Sequence, residues 1–147
     1  MADELLSIGI DIGTSTTQVI FSRLSIENTS GYFSVPQIRI VDKQVIYKGE
    51  VYSTPLKTRT MIDADAVAIL VEGEFKRAGF TPRDTRTGAV IITGETARKD
   101  NAALVLERLS GFAGDFVVST AGPDLESIIA GKGSGARQYS EDRSCVV

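Results

Sequence analysis

Residues 8–17 read IGIDIGTSTT, and this stretch decides the fold. An apolar strand ends in the carboxylate of Asp11, and the small, hydroxyl-bearing residues that follow turn the chain back on itself. Residues 17–26 are rich in β-branched and aromatic side chains, which favours a return strand. The sequence therefore predicts a tight β-hairpin whose turn carries small polar residues.

The apolar pattern changes from strand-like to helical in the middle of the chain. Residues 37–41 and 45–48 alternate apolar and polar side chains, which predicts either a hairpin or a bent strand. Apolar residues at helical spacing then predict a helix over residues 64–78. Asp63 is the expected N-cap of this helix, and Gly79 is its expected stop.

Helices and strands alternate in the second half of the chain. Residues 89–93 and 116–119 are short apolar runs, typical of buried parallel strands. We expect a second helix over residues 98–110, and a third that begins at Pro123 and ends in the glycines of residues 131–135. The order β-β-β-α-β-α-β-α predicts an α/β fold, a ribonuclease-H-like lobe with a mixed five-stranded sheet.

The composition excludes several chemistries. Without histidine the chain cannot form a Ser-His-Asp triad or a histidine-ligated metal site, and its single cysteine, Cys145, cannot form an internal disulfide or a zinc site. The net charge of -3 argues against a nucleic-acid partner. The sequence contains no apolar run of about 18 residues, the length that would predict a membrane span. Its acidic N-terminus is unlike a secretory signal. A cytoplasmic location is the simplest interpretation.

The turn that follows Asp11 offers the groups that bind phosphate. Gly13 permits the backbone conformations of a tight turn. The hydroxyls and backbone amides after it can form a concave anion-binding nest. The carboxylate of Asp11 could hold Mg²⁺ directly or through water. A solvent-exposed hairpin without a ligand is the alternative, but the flanking strands and the element order favour a phosphate site.

Three other segments are candidates for function. Glu95 follows a buried parallel strand and could face a ligand cleft; in the alternative, Glu95 or Thr96 caps the next helix. Residues 131–135 (GKGSG) lack the ending of a Walker loop and follow a helix, which favours a hinge. Residues 57–59 are predicted to be a solvated loop, with contact to a partner as the alternative.

The motif in residues 8–17 resembles the first phosphate motif of the actin, heat-shock chaperone and sugar-kinase superfamily. Together with residues 92–102 (ITGETARKDNA) and 119–127 (STAGPDLES), it makes the chain similar to the N-terminal part of the ethanolamine ammonia-lyase reactivating factors of bacterial ethanolamine utilisation. The resemblance covers essentially the whole chain. It implies a chaperone-like ATPase that uses ATP to release damaged cobalamin from the lyase. The implied location is the cytoplasm, either free or associated with a bacterial microcompartment.

The resemblance also implies roles for individual residues. Asp11 would be the catalytic residue and the Mg²⁺ ligand, and Glu95 would lie in the nucleotide site. The residues expected to bind the β- and γ-phosphates of ATP are Gly13, Thr14, Ser15, Thr16 and Thr17. Two departures from the superfamily imply slow hydrolysis or a switch driven by binding. Gln18 stands where many members carry Lys or Arg, and residues 119–123 offer no carboxylate to orient water.

The resemblance divides the chain into two parts. Residues 1–140 would form the first lobe of an actin-like ATPase, and residues 141–147 would begin a linker or strand into a missing second lobe. That lobe would carry the second phosphate motif and the adenosine motif, so the fragment alone should bind nucleotide poorly. The expected partners are the lyase and this second lobe, with neither nucleic acid nor membrane. A sugar-type small-molecule kinase and an actin-like scaffold are the alternatives.

Overall fold

The computed structural model describes residues 3–28, 37–112 and 115–133. The described residues form seven strands, three α-helices and one short 3-10 helix. In chain order these are β1 (Asp3–Ile12), β2 (Thr16–Asn28), β3 (Ile38–Ser53), β4 (Leu56–Thr58), β5 (Met61–Ile62), α1 (Ala64–Ala78), β6 (Thr87–Thr93), the 3-10 helix (Gly94–Arg98), α2 (Ala102–Ser110), β7 (Asp115–Ala121) and α3 (Pro123–Gly133).

Five of these strands form one mixed sheet in the order β3-β2-β1-β6-β7. Strands β1, β2 and β3 pair antiparallel, whereas β1, β6 and β7 pair parallel. The predicted mixed five-stranded sheet is therefore confirmed. Ile12 of β1 lies opposite Ile92 of β6, so the two strands end at the same edge of the sheet. This register places the turn after β1 beside the segment that follows β6.

The hydrophobic core lies between this sheet and the helices α1 and α2. Alternate residues of β1, including Ile8, Ile10 and Ile12, are fully or almost fully buried. Phe21 of β2 packs edge-on against Phe75 of α1, with ring centroids 4.9 Å apart. Burial of each such side chain contributes about 1.5–3 kcal/mol to folding, so this layer fixes β1 against the helices and gives the turn at its end a rigid base.

Helix α1 has the bounds that the sequence predicts. The Asp63 carboxylate accepts a 3.1 Å hydrogen bond from the Ala66 amide, as an N-cap does. Gly79 ends the helix in the left-handed conformation with φ of 75°. Both predicted capping roles are confirmed.

The segment between β2 and α1 matches one of two predicted alternatives and differs in part from another prediction. Residues 38–53 form one strand, and irregular pairing with β2 bends it at three places, so the bent-strand alternative is the one observed. Residues 57–59 are exposed, as predicted, but the prediction of a loop is wrong for residues 57 and 58, which belong to β4 of the two-stranded β4–β5 hairpin. Asn101 anchors the hairpin: its side chain accepts from the Ile62 amide at 2.9 Å and donates to the Ile62 carbonyl at 2.8 Å.

Helix α2 begins at Ala102, four residues later than predicted. The preceding residues are committed to other contacts: Gly94–Arg98 form the 3-10 helix, and the Asp100 amide donates to the Thr60 carbonyl at 3.1 Å.

Helix α3 begins at Pro123 as predicted but continues through Gly131 to Gly133. Of the other predictions in this region, those on Gly135, Cys145 and residues 141–147 fall outside the described residues. No helix among the described residues combines the length and apolar character needed to cross a bilayer.

Candidate functional site

Gly13 closes the turn at the end of β1. Its amide donates a 2.8 Å hydrogen bond to the Thr16 carbonyl. A Cβ atom at this position would lie 3.1 Å from that carbonyl oxygen and 3.6 Å from Thr93 Oγ1. Among the described residues only Gly79 and Gly94 have positive φ, so Gly13 is not needed for an unusual backbone conformation. The close approach of the turn to its own carbonyl is what requires glycine here.

The Gly13 carbonyl is held by two threonine hydroxyls from distant parts of the chain. Thr54 Oγ1 donates to it at 2.8 Å and Thr96 Oγ1 donates at 3.1 Å. Both threonines are buried. A carbonyl oxygen offers two lone pairs, so this acceptor is fully used. The segment after β3 and the 3-10 helix after β6 therefore clamp the turn from two sides.

Thr17 lies beneath the turn. Its side chain is fully buried and its hydroxyl is 3.1 Å from the Thr54 hydroxyl. The Thr54 amide in turn donates to the Ser15 carbonyl at 3.0 Å. Sequence reasoning did not select Thr54, and it considered Thr96 only as a helix cap. The available signals were a threonine before Pro55 at the end of a long strand, and a threonine two residues after the glycine that follows β6.

The outer side of the turn presents donors to solvent. The residues Thr14, Ser15 and Thr16 are exposed. Within the described part of the chain, the amides of Thr14 and Ser15 donate to no other group. Two adjacent amides with hydroxyls around them form the kind of concavity that binds anions. The turn is thus rigid on its inner side and open on its outer side.

Asp11 lies on β1, two residues before the turn, and is exposed. Because side chains alternate along a strand, it faces away from the layer that buries Ile10 and Ile12. Thr93 Oγ1 of β6 is 3.5 Å from its carboxylate oxygen. In front of Asp11 lies a shallow groove of about 170 Å³, lined also by Gln18. The carboxylate is therefore accessible to a ligand beside the turn.

Glu95 lies directly against the turn. Its amide donates to Thr14 Oγ1 at 3.0 Å, and its exposed carboxylate lies 3.2 Å from Nη1 of Arg98. The capping alternative is wrong, because the N-cap residues of the 3-10 helix and of α2 are Thr93 and Asn101.

Gln18 is a neutral residue that belongs to the sheet. Its Nε2 donates to the Gly49 carbonyl of β3 at 2.9 Å. This bond ties β2 to β3 beside the groove in front of Asp11. Position 18 therefore contributes no positive charge to the site.

A buried polar cluster supports the strand that leads to Thr54. Glu74 of α1 is fully buried, and it accepts hydrogen bonds from Tyr47 at 2.9 Å, from Tyr52 at 2.5 Å and from Arg77 at 2.5 Å. Gly49 leaves the room for this carboxylate, since a Cβ atom there would collide with the Glu74 side chain. The cluster fixes β3 on α1 two residues before Thr54.

Hydrogen bonding sets the ionisation of this cluster. Burial raises the pKa of Glu74, but the hydrogen bonds from Tyr52, Tyr47 and Arg77 outweigh it and hold the pKa below its usual value. The hydrogen bond to Glu74, followed by burial, raises the pKa of Tyr52 to about 12. Glu74 is therefore a carboxylate, and Tyr52 a neutral donor, at neutral pH.

A larger concavity lies elsewhere. It has a volume of about 700 Å³ and lies between the β4–β5 hairpin and α2, with Met61 and Leu104 among its apolar lining. None of the predicted site residues lines it. Phosphates are bound by amides and charges at a loop, with no need for a deep apolar cavity. The chemistry therefore points to the turn after β1 as the candidate site.

The fold is the predicted ribonuclease-H-like, actin-like fold of a single lobe. Two crystal structures of Aquifex aeolicus proteins share it. The Ppx/GppA family member matches with a TM-score of 0.52 and 18% identity, covering 87% of this chain and 38% of that chain. The PPX-GPPA enzyme matches with a TM-score of 0.51 and 16% identity, covering 82% of this chain and 37% of that chain. At this identity the likeness shows the fold alone.

The sequence comparisons identify the family. Residues 3–147 match the family of the ethanolamine utilisation protein EutA, and the chain belongs to this family. It is 43% identical over 144 residues to the ethanolamine ammonia-lyase reactivase EutA of Salmonella typhimurium, and equally to the protein of that name from Escherichia coli K12. Each alignment covers 98% of this chain but 31% of the relative, so the chain spans about a third of their length. The predicted family is confirmed.

Proposed function

We propose that this chain is the first lobe of a chaperone-like ATPase that uses ATP to release damaged cobalamin from ethanolamine ammonia-lyase. The relatives that match nearly all of the chain are named as reactivases of that lyase, which supports the assignment. The actin-like fold supports nucleotide as the driving ligand. The lyase would be the protein partner, in the cytoplasm or in a bacterial microcompartment.

The observation that carries the proposal is the architecture of the turn after β1. Two buried hydroxyls fix the Gly13 carbonyl on its inner side. The amides of Thr14 and Ser15, unpaired among the described residues, remain on its outer side. A turn fixed in this way binds an anion without first losing conformational freedom. The β- and γ-phosphates of ATP would bind to these amides and to the hydroxyls of Thr14, Ser15 and Thr16.

Asp11 would hold Mg²⁺ beside the phosphates. Its carboxylate is exposed and near the turn. Among the described residues no group of three acidic or cysteine side chains is placed to bind a metal alone. Mg²⁺ usually takes one or two carboxylates together with waters and phosphate oxygens, which fits a single aspartate here. When bound, the ion would neutralise charge on the phosphates.

The geometry divides the remaining predicted residues into two roles. Thr17 is buried against Thr54, so we propose that it supports the turn from below and that phosphate contacts come from Thr14 to Thr16. Glu95 is exposed next to Thr14, and we propose that it borders the bound nucleotide. Residues 1–140 as the first lobe, and residues 141–147 as the start of the connection to a second lobe, stay predictions.

Asp11→Asn in the full-length protein tests this proposal, with Asp42→Asn on the exposed part of β3 as the matched control. We expect Mg²⁺-dependent ATP hydrolysis and release of cobalamin from inactivated lyase to fall together, by about tenfold or more, for Asp11→Asn only. Equal activity of the two variants would contradict the assignment. Phosphoryl transfer to a polyol, or nucleotide-dependent polymers seen by light scattering, would indicate the kinase or the scaffold.

A further inference from the structure

Binding a triphosphate at the turn requires positive charge that the neighbouring strand residues Asp11 and Gln18 do not provide. Gln18 is neutral, and its amide nitrogen is committed to the Gly49 carbonyl. Asp11 and Glu95 both add negative charge next to the turn. Like charges at short range oppose binding unless a cation offsets them. One Mg²⁺ ion offsets only part of the charge of a triphosphate and two carboxylates, so a basic residue is expected close to Thr14 as well.

Arg98 is placed to supply that charge. It is the last residue of the 3-10 helix, which two hydrogen bonds fix to the turn: Glu95 N to Thr14 Oγ1 at 3.0 Å, and Thr96 Oγ1 to Gly13 O at 3.1 Å. Nη1 of Arg98 lies 3.2 Å from the Glu95 carboxylate. The guanidinium thus pairs with Glu95, and the Glu95 amide is hydrogen-bonded to Thr14 on the outer side of the turn.

We propose that Arg98 binds the terminal phosphate of the nucleotide, and that Glu95 holds its guanidinium when no phosphate is present. This inference rests on the ATP site proposed above. A guanidinium pairs with carboxylate and with phosphate in the same forked geometry, and phosphate carries more charge. The side chain of Arg98 is 63% exposed, so it can change partner by rotation while the 3-10 helix stays on the turn.

The exchange costs little because the resting pair is weak. Both members of the Arg98–Glu95 pair are largely exposed, and exposed ion pairs add little stability. An arginine that contacts the terminal γ-phosphate of ATP distinguishes ATP from ADP, because ADP has no γ-phosphate. Nucleotide discrimination is therefore the property that separates this role from a purely structural one.

The test is calorimetric titration of the full-length protein with ATP and with ADP in the presence of Mg²⁺. The variants are Arg98→Ala, Arg98→Lys and the control Arg23→Ala, which removes a half-exposed arginine that pairs with Glu4 at 3.5 Å. For Arg98→Ala we expect ATP affinity to fall about tenfold or more and ADP affinity to change by less than about threefold. Arg98→Lys should retain part of the preference for ATP, and Arg23→Ala should behave as wild type.

Two results would overturn the role of Arg98 while leaving the proposed function intact. In one, Arg98→Ala binds ATP as tightly as Arg23→Ala does. In the other, Arg98→Ala weakens ATP and ADP by the same factor. If the wild-type protein binds neither nucleotide, the proposed function itself fails. Because Arg98 is exposed, all variants should unfold at the same temperature, which thermal unfolding would check.

Discussion

The Thr54 hydroxyl donates a 2.8 Å hydrogen bond to the Gly13 carbonyl, across 41 residues of sequence. This bond joins the end of the long strand β3 to the turn that follows β1. The same hydroxyl also lies 3.1 Å from that of Thr17. The inner side of the turn after β1 is therefore fixed by a residue that no local motif includes.

Thr54→Val should loosen the turn, because valine keeps the shape of threonine but cannot donate to Gly13. Without the threonine hydroxyl, the partly buried Gly13 carbonyl accepts from one donor fewer. We expect a loss of about 1–3 kcal/mol in the free energy of unfolding, measured by urea denaturation, and weaker ATP binding by the full-length protein. Thr58→Val on the exposed β4 is the control: it removes only exposed hydrogen bonds to Thr60, so stability should change by less than about 0.5 kcal/mol and ATP binding should stay the same. Unchanged ATP binding by Thr54→Val would show that the clamp does not serve the site.

Gly49→Ala should be strongly destabilising. The added methyl group would collide with the Glu74 side chain and lie 2.9 Å from the Val19 carbonyl, neither of which can move freely. We expect a loss of about 1–3 kcal/mol. Gly73→Ala, within α1, is the matched control, because the nearest atom, Arg77 Nη1, is 4.0 Å away. That variant should gain about 0.5–1 kcal/mol, and a gain at both positions would contradict the described packing.

Glu74→Gln should lower stability at neutral pH and flatten its dependence on acid. The Glu74 pKa is held below its usual value in the folded state, so the carboxylate contributes stability above the pKa of the unfolded chain. This contribution is lost as pH falls through the lowered folded pKa. The amide of glutamine cannot accept at both ends, so we expect a loss on the order of 2 kcal/mol at neutral pH. Identical acid-unfolding curves for variant and wild type would contradict the stabilising role of the ionised Glu74 carboxylate.

Tyr52 should ionise only in strong alkali. Its pKa is raised to about 12, first by the hydrogen bond to Glu74 and then by burial. A raised pKa contributes stability that is complete below the ordinary tyrosine value and declines as pH rises toward 12. Titration of tyrosinate absorbance should show a late step that Tyr52→Phe removes and Glu74→Gln shifts to lower pH. A late step that persists in Tyr52→Phe at full amplitude would assign it to another tyrosine.

Local signals predicted the parts of the fold that depend on local physics. Asp63 and Gly79 bracket α1 because capping acts within a few residues, and the predicted helix bounds are confirmed. The β4–β5 hairpin gave no comparable signal, since its strands are three and two residues long and Asn101 holds it from 39 residues away.

The candidate site shows the same division. Asp11 and the hydroxyls after Gly13 were found because small residues at the end of a strand are visible in the sequence. The contacts of Thr54 and Thr96 with the turn were missed because they span 41 and 83 residues. The burial of Thr17 could be known only once β3 was placed beside β2.

The most direct test of the central claim is a crystal structure of the full-length protein with Mg²⁺ and a non-hydrolysable ATP analogue. We predict that phosphate oxygens accept hydrogen bonds from the amides of Thr14 and Ser15, with the metal beside Asp11. A bound nucleotide whose phosphates lie away from this turn, with the two amides facing bulk water, would contradict the account.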